Sequence, residues 1–136
     1  MTPNGIRYRR GYNYQLAETY SLQTALRTGV AISTPYVDLD VAGTLTIREG
    51  YAWDGASGPA IDTRNFLRGS LVHDAIYQLI RLGLLPRAAK DTADLELVRI
   101  CEEDGMCAAR RWWVYQGVHR FGTAYPSNEP LVYSAP

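Results

Sequence analysis

The chain has 136 residues with 14 basic and 14 acidic side chains, so its formal net charge is zero. A hydrophobic content of 46% excludes a disordered chain and suffices for the core of one domain. Balanced charge gives no overall field toward nucleic acid, and no apolar run approaches the ~18 residues of a membrane-spanning helix.

Arg7, Arg9 and Arg10 cluster near the start, and Arg110 and Arg111 sit together later; both groups read as solvated surface. No apolar run follows the early arginines, so no secretory signal is expected and the protein should be soluble. The two cysteines, Cys101 and Cys107, do not make a disulfide framework and are expected as free thiols, buried or nearly so.

Residues 1–50 predict β structure. Tyr8, Tyr12, Tyr14, Leu16 and Tyr20 recur at even spacing, as one face of a strand requires, and Thr44 to Arg48 alternates cleanly. A small antiparallel sheet of three to five strands is expected here. The stretch 51–64 is a loop rich in glycine, with Gly55, Gly58, Pro59 and the oxygen donors Asp54, Ser57 and Asp62. Glycines there let backbone groups converge on one point, which hard cations and oxyanions both exploit.

Three helices follow. Phe66, Leu67, Leu71, Val72, Ile76, Leu79 and Ile80 recur at three and four, predicting a helix over 65–82 with Asp62 or Thr63 as N-cap and a stop at Gly83. Ser70, His73 and Tyr77 share one stripe of it. A second helix is expected from Pro86 to Asp104, ending at Gly105, with Asp91, Asp94, Val98 and Cys101 on one face. The third should run from Cys107 to Phe121. Its aromatic stripe of Trp112, Tyr115 and His119, with Trp113, Val114, Val118 and Phe121, reads as core. Residues 123–136, with three prolines, predict an extended arm. The class is α+β: an N-terminal antiparallel sheet, then a bundle of three helices, in one domain over 1–136.

His73 is the only histidine in the first 118 residues, and Asp74 follows it directly. A carboxylate partner would raise its basicity and fix its tautomer, as a general base needs. Asp74 cannot be that partner, because neighbours on a helix point about 100° apart. The partner is expected from the next helix: Asp94, with Asp91 one turn earlier in reserve. Asp74 is then free to meet Asp54 of the loop. Carboxylates with loop carbonyls form an oxygen-only site that suits calcium better than zinc, and the only other histidine, His119, is far along the chain. A metal-dependent phosphohydrolase of the His-Asp type lacks the upstream histidine it needs, and neither Ser57 nor Ser70 sits in a nucleophile elbow.

Trp53-Asp54-Gly55-Ala56-Ser57-x-Pro59, Leu71-Val72-His73-Asp74-x-x-Tyr77, Ala93-Asp94 and Val114-Tyr115-x-x-Val118-x-x-Phe121-Gly122 stand in this order. Together they resemble an uncharacterised family common in tailed phages and prophages, domain of unknown function thirteen fifty-three. That resemblance implies a phage context: a protein made in the host cytoplasm, either free or carried in the virion beside phage structural proteins. The glycine-rich loop and the His-Asp-x-x-Tyr helix also resemble, more distantly, secreted bacterial phospholipases of the A-two class. By that resemblance His73 would activate water, Asp94 would hold its far nitrogen and Tyr77 would support the network. Asp54, the Gly55 carbonyl and Asp74 would bind calcium, and the partner would be a phospholipid surface. The alternative expectation is a non-catalytic virion or tail-accessory protein that keeps the fold.

Overall fold

A computed structural model describes residues 5–10, 14–53 and 64–121, except for the side chains of 8–10, 120 and 121. The chain divides into two compact units, the strands in one and the helices in the other.

Among the described residues the first unit holds seven short strands: β1 (Tyr8–Arg10), β2 (Tyr14–Leu16), β3 (Tyr20–Gln23), β4 (Ile32–Ser33), β5 (Val37–Leu39), β6 (Thr44–Ile47) and β7 (Ala52–Trp53). They form two antiparallel sheets, ordered β1-β2-β7 and β3-β6-β5-β4. In the second sheet Leu45 and Ile47 of β6 pair with Leu22 and Tyr20 of β3, and with Leu39 and Val37 of β5. The buried faces of these strands make that sheet's apolar side, while Ser21 and Thr46 exchange a hydroxyl hydrogen bond on the other. The sequence pattern predicts one sheet of three to five strands; the chain builds two. Strands of two to four residues are too short for alternation to declare where one sheet ends.

β7 also corrects the boundary expected at residue 50. Trp53 lies opposite Tyr14 in the register, with ring centroids 5.5 Å apart, and is buried. Leu16 and Tyr51 share a further backbone bond of 2.8 Å. The pairing is non-local, so nothing near Trp53 in the sequence announces it.

The second unit holds α1 (Arg64–Arg81), α2 (Ala89–Glu103) and α3 (Ala108–Phe121). α2 packs against both α1 and α3. Gly83 and Gly105 stop the first two helices in the left-handed region, at φ of 76° and 92° respectively. Each stop carries the wrapped backbone bond that ends a helix, Leu84 N to Leu79 O at 3.0 Å and Met106 N to Cys101 O at 2.9 Å. α2 begins at Ala89 rather than Pro86, because residues 86–88 form a turn whose carbonyls accept from Ala89 and Lys90. Phe66, Leu97, Cys101, Met106 and Val114 form a cluster that draws on all three helices, with Val118 packed against it. The buried Arg68 guanidinium joins α1 to the end of α2 through Asp104, at 3.0 Å.

Two expectations about this unit are overturned. Trp112 and Trp113 are exposed, while Val114 takes the core position of α3. The short helix meets its neighbours along a single stripe, and neither indole falls on it. Cys101 is buried as expected but Cys107, just ahead of α3, is exposed.

Gly69 sets the approach of α1 to α2. A Cβ there would stand 2.8 Å from Leu97 Cδ1, 3.0 Å from Cys101 Sγ and 3.2 Å from the Leu97 carbonyl. Gly69→Ala gains roughly 1 kcal/mol of helix propensity but overpacks this contact, at about 1–3 kcal/mol. The expected net effect is a destabilisation of about 1 kcal/mol in urea unfolding, and a gain in stability would show that the helices have room to spare.

Candidate functional site

One helical turn beyond Gly69 stands His73, and one turn further Tyr77, while antiparallel α2 runs from Cys101 and Leu97 back through Asp94 to Lys90. This register places both α1 side chains on one carboxylate. His73 Nε2 lies 2.7 Å from Asp94 Oδ1, and the Tyr77 hydroxyl donates to the same oxygen at 2.6 Å. The His73 and Tyr77 rings are 4.0 Å apart and tilted by 40°. Asp94 is fully buried.

The other oxygen of Asp94 accepts from Lys90 Nζ at 2.8 Å, one turn earlier on α2. Lys90 also donates to the carbonyls of Val118 at 3.4 Å and His119 at 3.3 Å, in the last turn of α3. Those carbonyls lie in the last described turn and carry the negative end of the helix dipole, so a buried ammonium is stabilised there. Lys90 is the only lysine in the sequence. A compact cation with three diverging donors fits one carboxylate oxygen and two carbonyls, where the flat guanidinium fork would not.

Burial pushes the Asp94 carboxyl up, but hydrogen bonds from His73, Lys90 and Tyr77, with the charge of His73, outweigh it and hold the group below its ordinary value. An ionised carboxylate only accepts, so Nε2 of His73 carries the hydrogen, and in the neutral ring the lone pair is on Nδ1. His73 keeps 13% of its side chain exposed. The fixed tautomer is what a base needs.

A carboxyl depressed on folding stabilises the protein above its unfolded pKa, about 3.9, and loses that contribution as pH falls through the lower folded value. Acid unfolding followed by circular dichroism should therefore steepen below about pH 4. Replacing Lys90 and Asp94 together by Met and Asn should flatten that limb; an unchanged limb would place the acid sensitivity elsewhere.

Among the expected site residues, His73, Asp94 and Tyr77 are brought together. Asp91, the reserve partner, is exposed, and His73 bonds Asp94 instead. Asp74 is half-buried on α1. Asp54, Gly55, Ser57 and Asp62, with the proposed N-cap Thr63 and the tail after Phe121, lie outside the described residues.

Sequence separation misjudged His119. Its Nδ1 is 3.9 Å from Asp94 Oδ2, and its ring stacks on Tyr115 with centroids 5.2 Å apart. Asp91, Asp94 and His119 offer ligand atoms within 4.8 Å of one another, a grouping that could hold a metal ion. The Lys90 ammonium already sits on the Asp94 oxygen nearest His119, and a second cation there would meet its charge. Sequence reasoning missed Lys90. Its singularity in a chain that otherwise uses arginine, four residues ahead of Asp94, was the available signal.

The thiol of Cys101 is pushed up to about 12 by burial and by the Asp104 charge, so it is no nucleophile. Among the described residues no helix is long and apolar enough to cross a membrane. Comparisons of the chain with protein-family models, with curated proteins and with solved structures returned no match.

Proposed function

We propose that the protein is a hydrolase in which His73 acts as general base on water, with the carboxylic ester of a phospholipid as substrate. The observation that carries the proposal is the bond from His73 Nε2 to buried, ionised Asp94, which leaves Nδ1 as the basic nitrogen. In the proposed reaction Nδ1 takes a proton from water and the resulting hydroxide attacks the carbonyl carbon. The tetrahedral intermediate then expels the alcohol, which receives the proton back from the imidazolium. Asp94 stabilises that imidazolium, and Tyr77 holds the carboxylate in place.

Calcium belongs to the proposal on the chemistry of its expected donors, carboxylate and carbonyl oxygens, of which Asp74 is the one among the described residues. When bound, such a cation supplies stabilisation of the charge developing on the ester oxygen. The phage context implied by the sequence resemblance fits a role in crossing or disrupting a host envelope.

A second reading is favoured by Lys90. Its ammonium ties Asp94 to the end of α3, as a purely structural network would, and a non-catalytic virion or tail-accessory protein could keep it. Fatty-acid release from phospholipid vesicles, with calcium and with a chelator, separates the two. Release that requires calcium is expected; a folded, calcium-saturated protein that releases none would leave the structural reading standing.

A further inference from the structure

The side of Asp94 away from His73 gathers groups that the chemistry at His73 does not use. Asp91 lies three residues before Asp94, so both carboxylates share one face of α2, and His119 reaches them from the last turn of α3. One oxygen of each carboxylate and one ring nitrogen of His119 lie within 4.8 Å of one another. Zinc bonds of about 2.0–2.1 Å set the ligands of a tetrahedron about 3.4 Å apart, so side-chain rotation is enough to close the gap. Asp91 and His119 are exposed and can turn, while buried Asp94 supplies the fixed point.

Other observations mark this as a place for a cation. The His119 ring is stacked on Tyr115 with an interplanar angle of 13°, and its Nδ1 stands 3.9 Å from Asp94 Oδ2, too far for a hydrogen bond. Neither the Asp91 carboxylate nor the His119 ring has a hydrogen-bond partner among the described residues, so neither must be drawn off one to bind an ion. The last turn of α3 brings the negative end of its dipole to the same spot. One cation is already held there. Lys90 Nζ is 2.8 Å from Asp94 Oδ2, but it reaches the Val118 and His119 carbonyls only at 3.4 and 3.3 Å. Lys90 also lies in the first turn of α2, where that helix's own dipole disfavours positive charge.

We propose that Asp91, Asp94 and His119 bind one zinc ion, which takes over from Lys90 the bridge between α2 and α3. Two carboxylate oxygens and an imidazole nitrogen, with a fourth position open, make a zinc donor set; calcium asks for six to eight oxygens. The two carboxylates offset the charge of the ion. The ammonium is what the ion must displace, and its flexible four-carbon stem lets it give way. Lys90 therefore sets how tightly the site binds. The site shares Asp94 with the His73 network but none of the expected calcium donors, and it stands whether or not His73 is a base.

The test uses the untagged full chain, stripped of metal, with Co2+ as the spectroscopic probe and Zn2+ followed by calorimetry. Expected are a visible cobalt band of four-coordinate intensity that saturates at one equivalent, and its loss on adding zinc but not calcium. The melting temperature should climb with zinc concentration. His119→Ala and Asp91→Asn, both at exposed positions, should keep the fold and each weaken cobalt binding more than about tenfold, the least that even an outer-shell partner costs. Lys90→Met, with no ammonium left to repel the ion, should bind at least about tenfold more tightly. His73→Ala and Cys107→Ser should bind like wild type, so failure of this site and failure of hydrolysis are separate results. A folded protein with neither cobalt band nor zinc heat overturns the proposal, as does binding that survives His119→Ala. Binding lost with Cys107→Ser, or a folded Lys90→Met that binds no more tightly than wild type, overturns it too.

Discussion

Asp94→Asn is expected to destabilise the protein by about 3–5 kcal/mol, because it removes the negative charge beneath a buried ammonium. The amide oxygen could still accept from His73 and Tyr77, which now share Asp94 Oδ1. The amide nitrogen would then face Lys90 Nζ, donor against donor, where Asp94 Oδ2 now accepts at 2.8 Å. From the sequence alone an asparagine looks harmless here, since only the histidine is in view. Lys90 reverses that expectation. Adding Lys90→Met should recover about 2 kcal/mol or more of the loss, because two neutral partners replace one stranded cation. Urea unfolding of wild type, both single variants and the double variant closes the cycle. If Asp94→Asn alone falls within about 1 kcal/mol of wild type, the ammonium is reaching water and the network does not organise the helices.

His73→Ala is expected to behave in the opposite way, leaving the fold nearly intact while the proposed hydrolysis falls at least ~10²-fold, as loss of a general base would require. The imidazole contributes one hydrogen bond to a carboxylate that keeps Tyr77 and Lys90, so the stability loss should be only about 1–2 kcal/mol. Fatty-acid release and unfolding measured on the same preparations give both numbers. A rate that survives His73→Ala would remove the imidazole from the chemistry. Equal loss of rate and stability across both variants would mean that activity merely follows folding. Separating the two effects matters because Asp94 serves two partners. Toward His73 it orients the imidazole proposed as base; toward Lys90 it anchors α2 to α3.

What the sequence determined by itself is local and periodic. The three- and four-residue recurrence of apolar side chains places the helices to within a few residues, and Gly83 and Gly105 end α1 and α2 in the left-handed conformation. His73 and Tyr77, four apart, must share a face, and a helical hairpin can return Asp94 to them. The tertiary structure decided the remainder, for reasons that spacing does not encode. How closely α1 approaches α2 depends on Gly69 lying against Leu97 and Cys101, a contact between residues 28 and more positions apart. Which side of α3 meets the core depends on its rotation, and that choice buried Val114, exposed both tryptophans and set His119 near Asp94. Two-residue strands such as β7 exist only through their partners. Lys90 shows the difference most sharply. Its place four residues before Asp94 is written in the chain, but an ammonium that far from water is tolerable only once a carboxylate and two helix-end carbonyls close around it.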